Sequence, residues 1–127
     1  MAVVDPLHWR QGEQVSVRYV NSDTVSLYDL ALVVDYDNRG STDHFILEIT
    51  TLTPDSLTMT EQVEVWIDRS RPGSGRFQGL GGRHYGELRI PYRIAVRLRR
   101  EGEYYFLLAP DRPLSGVRAI GLEFSKH

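Results

Sequence analysis

Arg89, Arg93, Arg97, Arg99 and Arg100 form the densest charge of one sign in the chain. A guanidinium offers a planar fork of donors that matches a carboxylate or a phosphate. Such a row therefore either meets acids on neighbouring strands, with Glu48, Glu64, Glu103 and Glu123 as the available carboxylates, or presents a face to an anionic partner. Trp66 stands between Glu64 and Asp68 on the outward side of its segment. It reads as a stacking residue for protein or sugar, or as a ring packed under a loop. Arg89, Arg93, Arg97 and Trp66 are the candidate partner surface.

Other chemistries fit less well. DYDNRGSTD (residues 35–43) holds hard oxygen donors in Asp35, Asp37, Ser41 and Asp43, which invites either a calcium reading or that of a solvated turn. As an EF-hand loop it fails, because Arg39 takes the fifth position and Ile46 the place of the bidentate Glu. The glycine-rich GSGRFQGLGG (residues 73–82) lacks the GK[ST] ending of a phosphate loop and leads into a strand. His8, His44 and His84 show no metal-ligand spacing, and no GxSxG nucleophile setting occurs. The expectation is no metal, no cofactor and no catalysis; a hydrolase would need two carboxylates brought ~5–10 Å apart in a cleft.

The elements that must carry these residues follow from a two-residue rhythm. In LRIPYRIAVRLR (residues 88–99), Leu88, Ile90, Tyr92, Ile94, Val96 and Leu98 alternate with the arginines, the period of a half-buried strand. Pro91 cannot donate to a ladder, so an edge position, a bulge or a bend is expected there, and a bend would let one segment serve two sheets. Similar alternation marks residues 14–20, 44–52, 61–69, 103–109 and 117–124. Residues 25–36 are apolar on both sides, which predicts a central strand. Turns are expected at Asn21-Ser22-Asp23, Thr53-Pro54-Asp55-Ser56 and Glu101-Gly102, the last closing a hairpin. More than half of the eleven glycines fall within residues 71–86, the mark of a long connection. Residues 1–12 form a lead-in anchored by Trp9.

With no 3.6-residue periodicity, strands must bury their apolar faces against each other. The expected architecture is all-β: one β-sandwich domain over residues 1–127, jelly-roll-like, with about eight mostly antiparallel strands. The 127 residues suffice for one core without staples, and 41% hydrophobic with 25% charged residues is ordinary for a globular chain. A net charge of -2 gives no field that would draw nucleic acid. There is no cysteine, and apolar runs such as residues 30–34 are far too short to span a bilayer.

Read together, WRQGEQVSVRY (residues 9–19), SLYDLALVVDYDN (26–38) followed by HFILEI, GRFQGLG (75–81), EGEYYFLL (101–108) and LSGVRAIGLEF (114–124) resemble the gliding motility-associated lipoprotein GldH family of the Bacteroidetes. The pieces run in the family's order over almost the whole chain. Phe77 stands where that family usually has Trp, and LAPDR replaces its Gln-Ala-Met-Arg run. The resemblance implies a lipoprotein signal removed upstream, an acyl anchor on a preceding cysteine, and a place on the periplasmic face of a membrane. It also implies a non-enzymatic accessory role in the gliding and secretion apparatus, exercised by docking other cell-envelope proteins. From a different class, a carbohydrate-binding module would use exposed rings such as Trp66, Tyr104 and Tyr105 as a glycan platform.

Overall fold

A computed structural model of the protein describes residues 2–3, 9–37, 42–67, 76–77 and 85–127. Within them the chain is all-β and contains no helix. The strands are β1 (Ala2–Val3), β2 (Val15–Asn21), β3 (Leu27–Asp37), β4 (His44–Leu52), β5 (Thr58–Trp66), β6 (Arg76–Phe77), β7 (Tyr85–Arg97), β8 (Gly102–Pro110) and β9 (Val117–Lys126). They form two antiparallel sheets, ordered β1-β9-β3-β7-β6 and β2-β8-β4-β5. The chain crosses between the sheets from β1 to β2, β2 to β3, β3 to β4, β5 to β6, β7 to β8 and β8 to β9. Such an interleaved order is compatible with a jelly roll.

Alternation explains the core. Leu30, Leu32, Val34 and Tyr36 of β3 face Phe45, Leu47 and Ile49 of β4 and Phe106 and Leu108 of β8 in one buried cluster. Each fully buried Leu, Ile or Phe contributes about 1.5–3 kcal/mol relative to exposure. β3 is central, between β9 and β7, and Val33 on its other face is also buried. Tyr19 of β2 stacks on Phe124 of β9 with ring centroids 3.9 Å apart, tying one sheet to the other.

Three expectations are corrected. The turn at Glu101-Gly102 does not close a hairpin, because β7 and β8 lie in different sheets; β4 and β5 do form one. β7 also serves one sheet, pairing with β3 and with the short β6. The bulge foreseen near Pro91 is present: the register shifts twice, so that Tyr28, Leu30 and Ala31 of β3 oppose Val96, Arg93 and Pro91. Extra residues on one strand break the alternation. Ile94, expected inside, is 69% exposed, while Tyr92 and Val96 remain packed on the core. Ala95 takes φ 54°, and its N–H donates to Asp29 Oδ1 at 2.9 Å, which satisfies the donor that the bulge releases.

The ends of the sandwich differ. At the end holding the start of β2 and β9, Trp9 is 1% exposed and donates from Nε1 to the Glu13 carbonyl at 2.8 Å. The Leu114 N–H donates to the Trp9 carbonyl at 2.8 Å, closing a bridge over the core. At the opposite end the β4–β5 and β7–β8 turns approach each other. Asn21 Nδ2 donates to the carbonyls of Leu98 at 3.2 Å and Arg100 at 2.9 Å, holding the second turn. Gly102 has φ 124°, which disfavours any side chain, and a Cβ there would lie 3.1 Å from Pro54.

Candidate functional site

Alternation predicts one outward row of arginines on β7, but the bulge splits it: Arg93 opposes the buried Leu30 and turns between the sheets, while Arg89 and Arg97 stay on the outer side, and both Arg89 and Arg93 meet acids. Arg89 Nε donates to Glu87 Oε1 at 2.9 Å, and its Nη1 pairs with Glu123. The hydrogen bond that Arg89 donates to Glu123 is the main reason why its guanidinium is held above its usual range. Of the four carboxylates considered as partners for the row, Glu123 is the one it uses; Glu103 pairs with Arg18 and Glu64 with His44.

Arg93 lies within the bulge and reaches across to Glu61 on β5, in the other sheet. Tyr92 Oη donates to the same carboxylate at 2.9 Å, and the Arg93 guanidinium carbon sits 4.4 Å from the Tyr92 ring centroid. The Arg93 hydrogen bond, then that of Tyr92, pulls the Glu61 carboxyl below its ordinary range. Burial, and then the bond to Glu61, raises the Tyr92 phenol. Arg97 differs: its Nε donates to the Val25 carbonyl at 3.2 Å, and it meets no carboxylate among the described residues.

Trp66 is 63% exposed and stacks on His44, its register partner on β4, with centroids 3.9 Å apart. His44 Nε2 lies 3.3 Å from Glu64 Oε1. β5 is the last strand of its sheet and among the described residues bonds to β4. The structure does not unite the four candidates on one face. Arg89 and Arg97 oppose Val33 and Leu27 of β3, six residues or ~20 Å apart at strand rise. Trp66 belongs to the outer face of the other sheet.

The glycan platform is not assembled either. Tyr104 is 5% exposed, and Tyr105 neighbours Leu52, which opposes Thr58 at the far end of β5 from Trp66. Among the described residues no three His, Asp or Glu side chains group as metal ligands; residues 38–41 of the acidic turn, His84 and all but residues 76–77 of the glycine-rich segment lie outside the description. One pair of acids is brought together that the sequence does not signal: Asp35 and Glu87 oppose each other on β3 and β7. Burial, then Glu87, pushes the Asp35 carboxyl up, and its Oδ1 is buried without a hydrogen-bond partner. The two are adjacent on one sheet, not across a cleft.

A cavity of about 390 Å³ opens between the sheets at the end opposite Trp9. Leu30 and Val96 line it from one sheet, Met59 and Phe106 from the other, and Arg97 and Arg99 border it. Sequence alternation marks these residues only as core or surface; the gap depends on how the turns and the bulge meet. No family model, no curated protein and no solved structure matches the chain.

Proposed function

We propose that the chain is a non-enzymatic docking protein of the bacterial cell envelope, lipid-anchored at the periplasmic face of a membrane and accessory to the gliding and secretion apparatus. The location and the apparatus rest on the resemblance to the GldH family. The docking role rests on one observation: Trp66 is 63% exposed on the last strand of a sheet, yet held in place by its stack on His44. An exposed Trp carries a large apolar area, and a ring already fixed loses little freedom on binding, which makes it a hot spot for a protein partner. The arginine row does not extend this face: Arg89 and Arg93 are engaged by acids of this chain, and Arg97 lies on the other sheet from Trp66.

The test compares envelope proteins recovered on the wild-type chain, on Trp66→Ala and on the control Val20→Ala. Val20 is also exposed, at 57%, on a different strand. The expected result is a defined protein whose recovery falls about tenfold or more with Trp66→Ala alone, the loss of an interface anchor worth ~1.4 kcal/mol or more. Equal recovery on all three overturns the reading. Trp66-dependent binding to a glycan array, with no protein recovered, replaces it with a carbohydrate-binding module.

A further inference from the structure

The cavity at the turn end combines two features that one class of ligand satisfies together. Its inner wall is hydrocarbon and aromatic: Leu30, Val96 and Phe106. The polar side chains of its inner lining are already partnered: Tyr92 Oη by Glu61 at 2.9 Å, Tyr104 Oη by the Arg100 carbonyl at 3.2 Å, Thr53 Oγ1 by Asp55 at 2.5 Å, and the Thr51 hydroxyl by Tyr92. An occupant therefore gains nothing inside by carrying donors or acceptors, and a polar one would be desolvated without return. The border is cationic. Arg93, Arg97, Arg99 and Arg100 surround it against two nearby acids, Glu61, which binds Arg93, and Asp55, which lies 3.3 Å from Arg100. Arg97 and Arg99 meet no carboxylate among the described residues. At the mouth, Leu57 and Met59 are 64% and 50% exposed, apolar surface left in water unless something covers it.

We propose that this end of the sandwich binds a single-chain amphiphile of the fatty-acid class, its hydrocarbon tail between the sheets and its carboxylate on Arg97 and Arg99. The volume lies in the range of small-molecule sites. The bulge in β7 shapes the site: it turns Ile94 outward and brings Arg93, opposite Leu30, to the border between Tyr92 and Val96. The carboxylate supplies the charge that the arginine border lacks, and bidentate pairing fixes the head group at the mouth. The tail covers Leu57 and Met59.

Calorimetric titration of the intact chain with dodecanoate and with dodecanol tests the assignment below the concentration at which either aggregates. Saturable binding of one dodecanoate per chain is expected, with dodecanol roughly tenfold or more weaker, the value of a charge-assisted hydrogen bond or two. Arg97→Gln with Arg99→Gln, both exposed positions, removes that preference and leaves dodecanol unchanged. Met59→Trp, which narrows the mouth, weakens both ligands. Absence of saturable binding by the folded wild type overturns the proposal, as do equal affinities for acid and alcohol. Binding indifferent to Met59→Trp in a variant of native circular dichroism places the ligand elsewhere and overturns it too. Docking through Trp66 is untouched by any of these results, because that residue lies on the outer face of the other end of β5.

Discussion

At one end of the sandwich Trp9 and Tyr36 are each 1% exposed, whereas at the other Leu57 and Met59 stand 64% and 50% exposed, although the same long strands run through both. The first end is closed by large rings and by a bridge from the lead-in to residue 114. The second is held by polar ties at its rim: Asn21 on the β7–β8 turn, Arg93 with Tyr92 on Glu61, and Arg100 near Asp55. Apolar burial without gaps supplies stability. Polar ties around a gap fix a shape while leaving room inside. The difference separates the part of the molecule that keeps it folded from the part with space for something else.

The comparison breaks first at Trp9. Trp9→Ala removes a fully buried ring and opens a void under the bridge, a cost of ~3–5 kcal/mol for such truncations. That is a large share of a typical ~5–15 kcal/mol of net stability. Urea denaturation should show the midpoint falling steeply with little change in slope. A loss below ~1 kcal/mol would mean that the closed end is not where stability resides.

Gly86→Ala is the next largest. Gly86 opposes Tyr36 across β3 and β7, and an added Cβ would sit 2.4 Å from Tyr36 Cζ. The ring is buried and cannot swing away, so overpacking should cost ~1–3 kcal/mol. In a Tyr36→Leu background the same Gly86→Ala change should cost less, a coupling of ~0.5–3 kcal/mol in a double-mutant cycle. Simple additivity would show that the glycine is needed for some other reason.

Particular residues show which parts of this arrangement sequence can reveal. Residues 44–52 alternate cleanly and coincide with β4, and the two-sided apolar run at 25–36 correctly predicts a central strand, because burial on one or both faces dictates side-chain type. Trp9 as the anchor of the lead-in also follows from its type. Ile94 misleads: alternation counts residues, and two extra residues opposite β3 shift the count without altering the pattern of letters. The short strands β1 and β6 give no rhythm at two residues each. The turn at Glu101-Gly102 has hairpin chemistry, but whether β8 folds back on β7 or crosses to the other sheet is set by long-range pairing with β2 and β4. The arginine row is legible, and Glu123 is among the acids the sequence offers it; the pairing with Glu87 and Glu61 is not legible, since cross-strand and cross-sheet neighbours are known only once register is fixed. The cavity is a property of the space between turns and leaves no mark in the chain.

Glu61 tests the border between the two regimes by pH. Its carboxyl is held below the ordinary value of 4.5 in the folded protein, chiefly by Arg93 and then by Tyr92. A carboxyl lowered in this way adds stability above its unfolded pKa and loses it as pH falls through the folded one. Wild type and Glu61→Gln should therefore differ above about pH 4.5 and converge in more acid solution. Because both partners are about one-third exposed, the gap at neutral pH should not exceed ~1 kcal/mol. Parallel pH profiles for the two proteins would remove the tie between β5 and β7 from the account of how the open end holds its shape.

The smallest effect is expected where the open end is most exposed. Leu57→Ser with Met59→Ser replaces two large apolar side chains that already face water for half or more of their surface. Little burial is lost on folding, so each change should alter stability by no more than ~0.5 kcal/mol. Dodecanoate affinity should fall in the same protein, since these residues form the mouth that the hydrocarbon covers. Near-native denaturation together with weakened binding separates the requirements of folding from those of occupancy. A stability loss of several kcal/mol would instead show that Leu57 and Met59 help to close the core, and that the two ends are sealed by the same means.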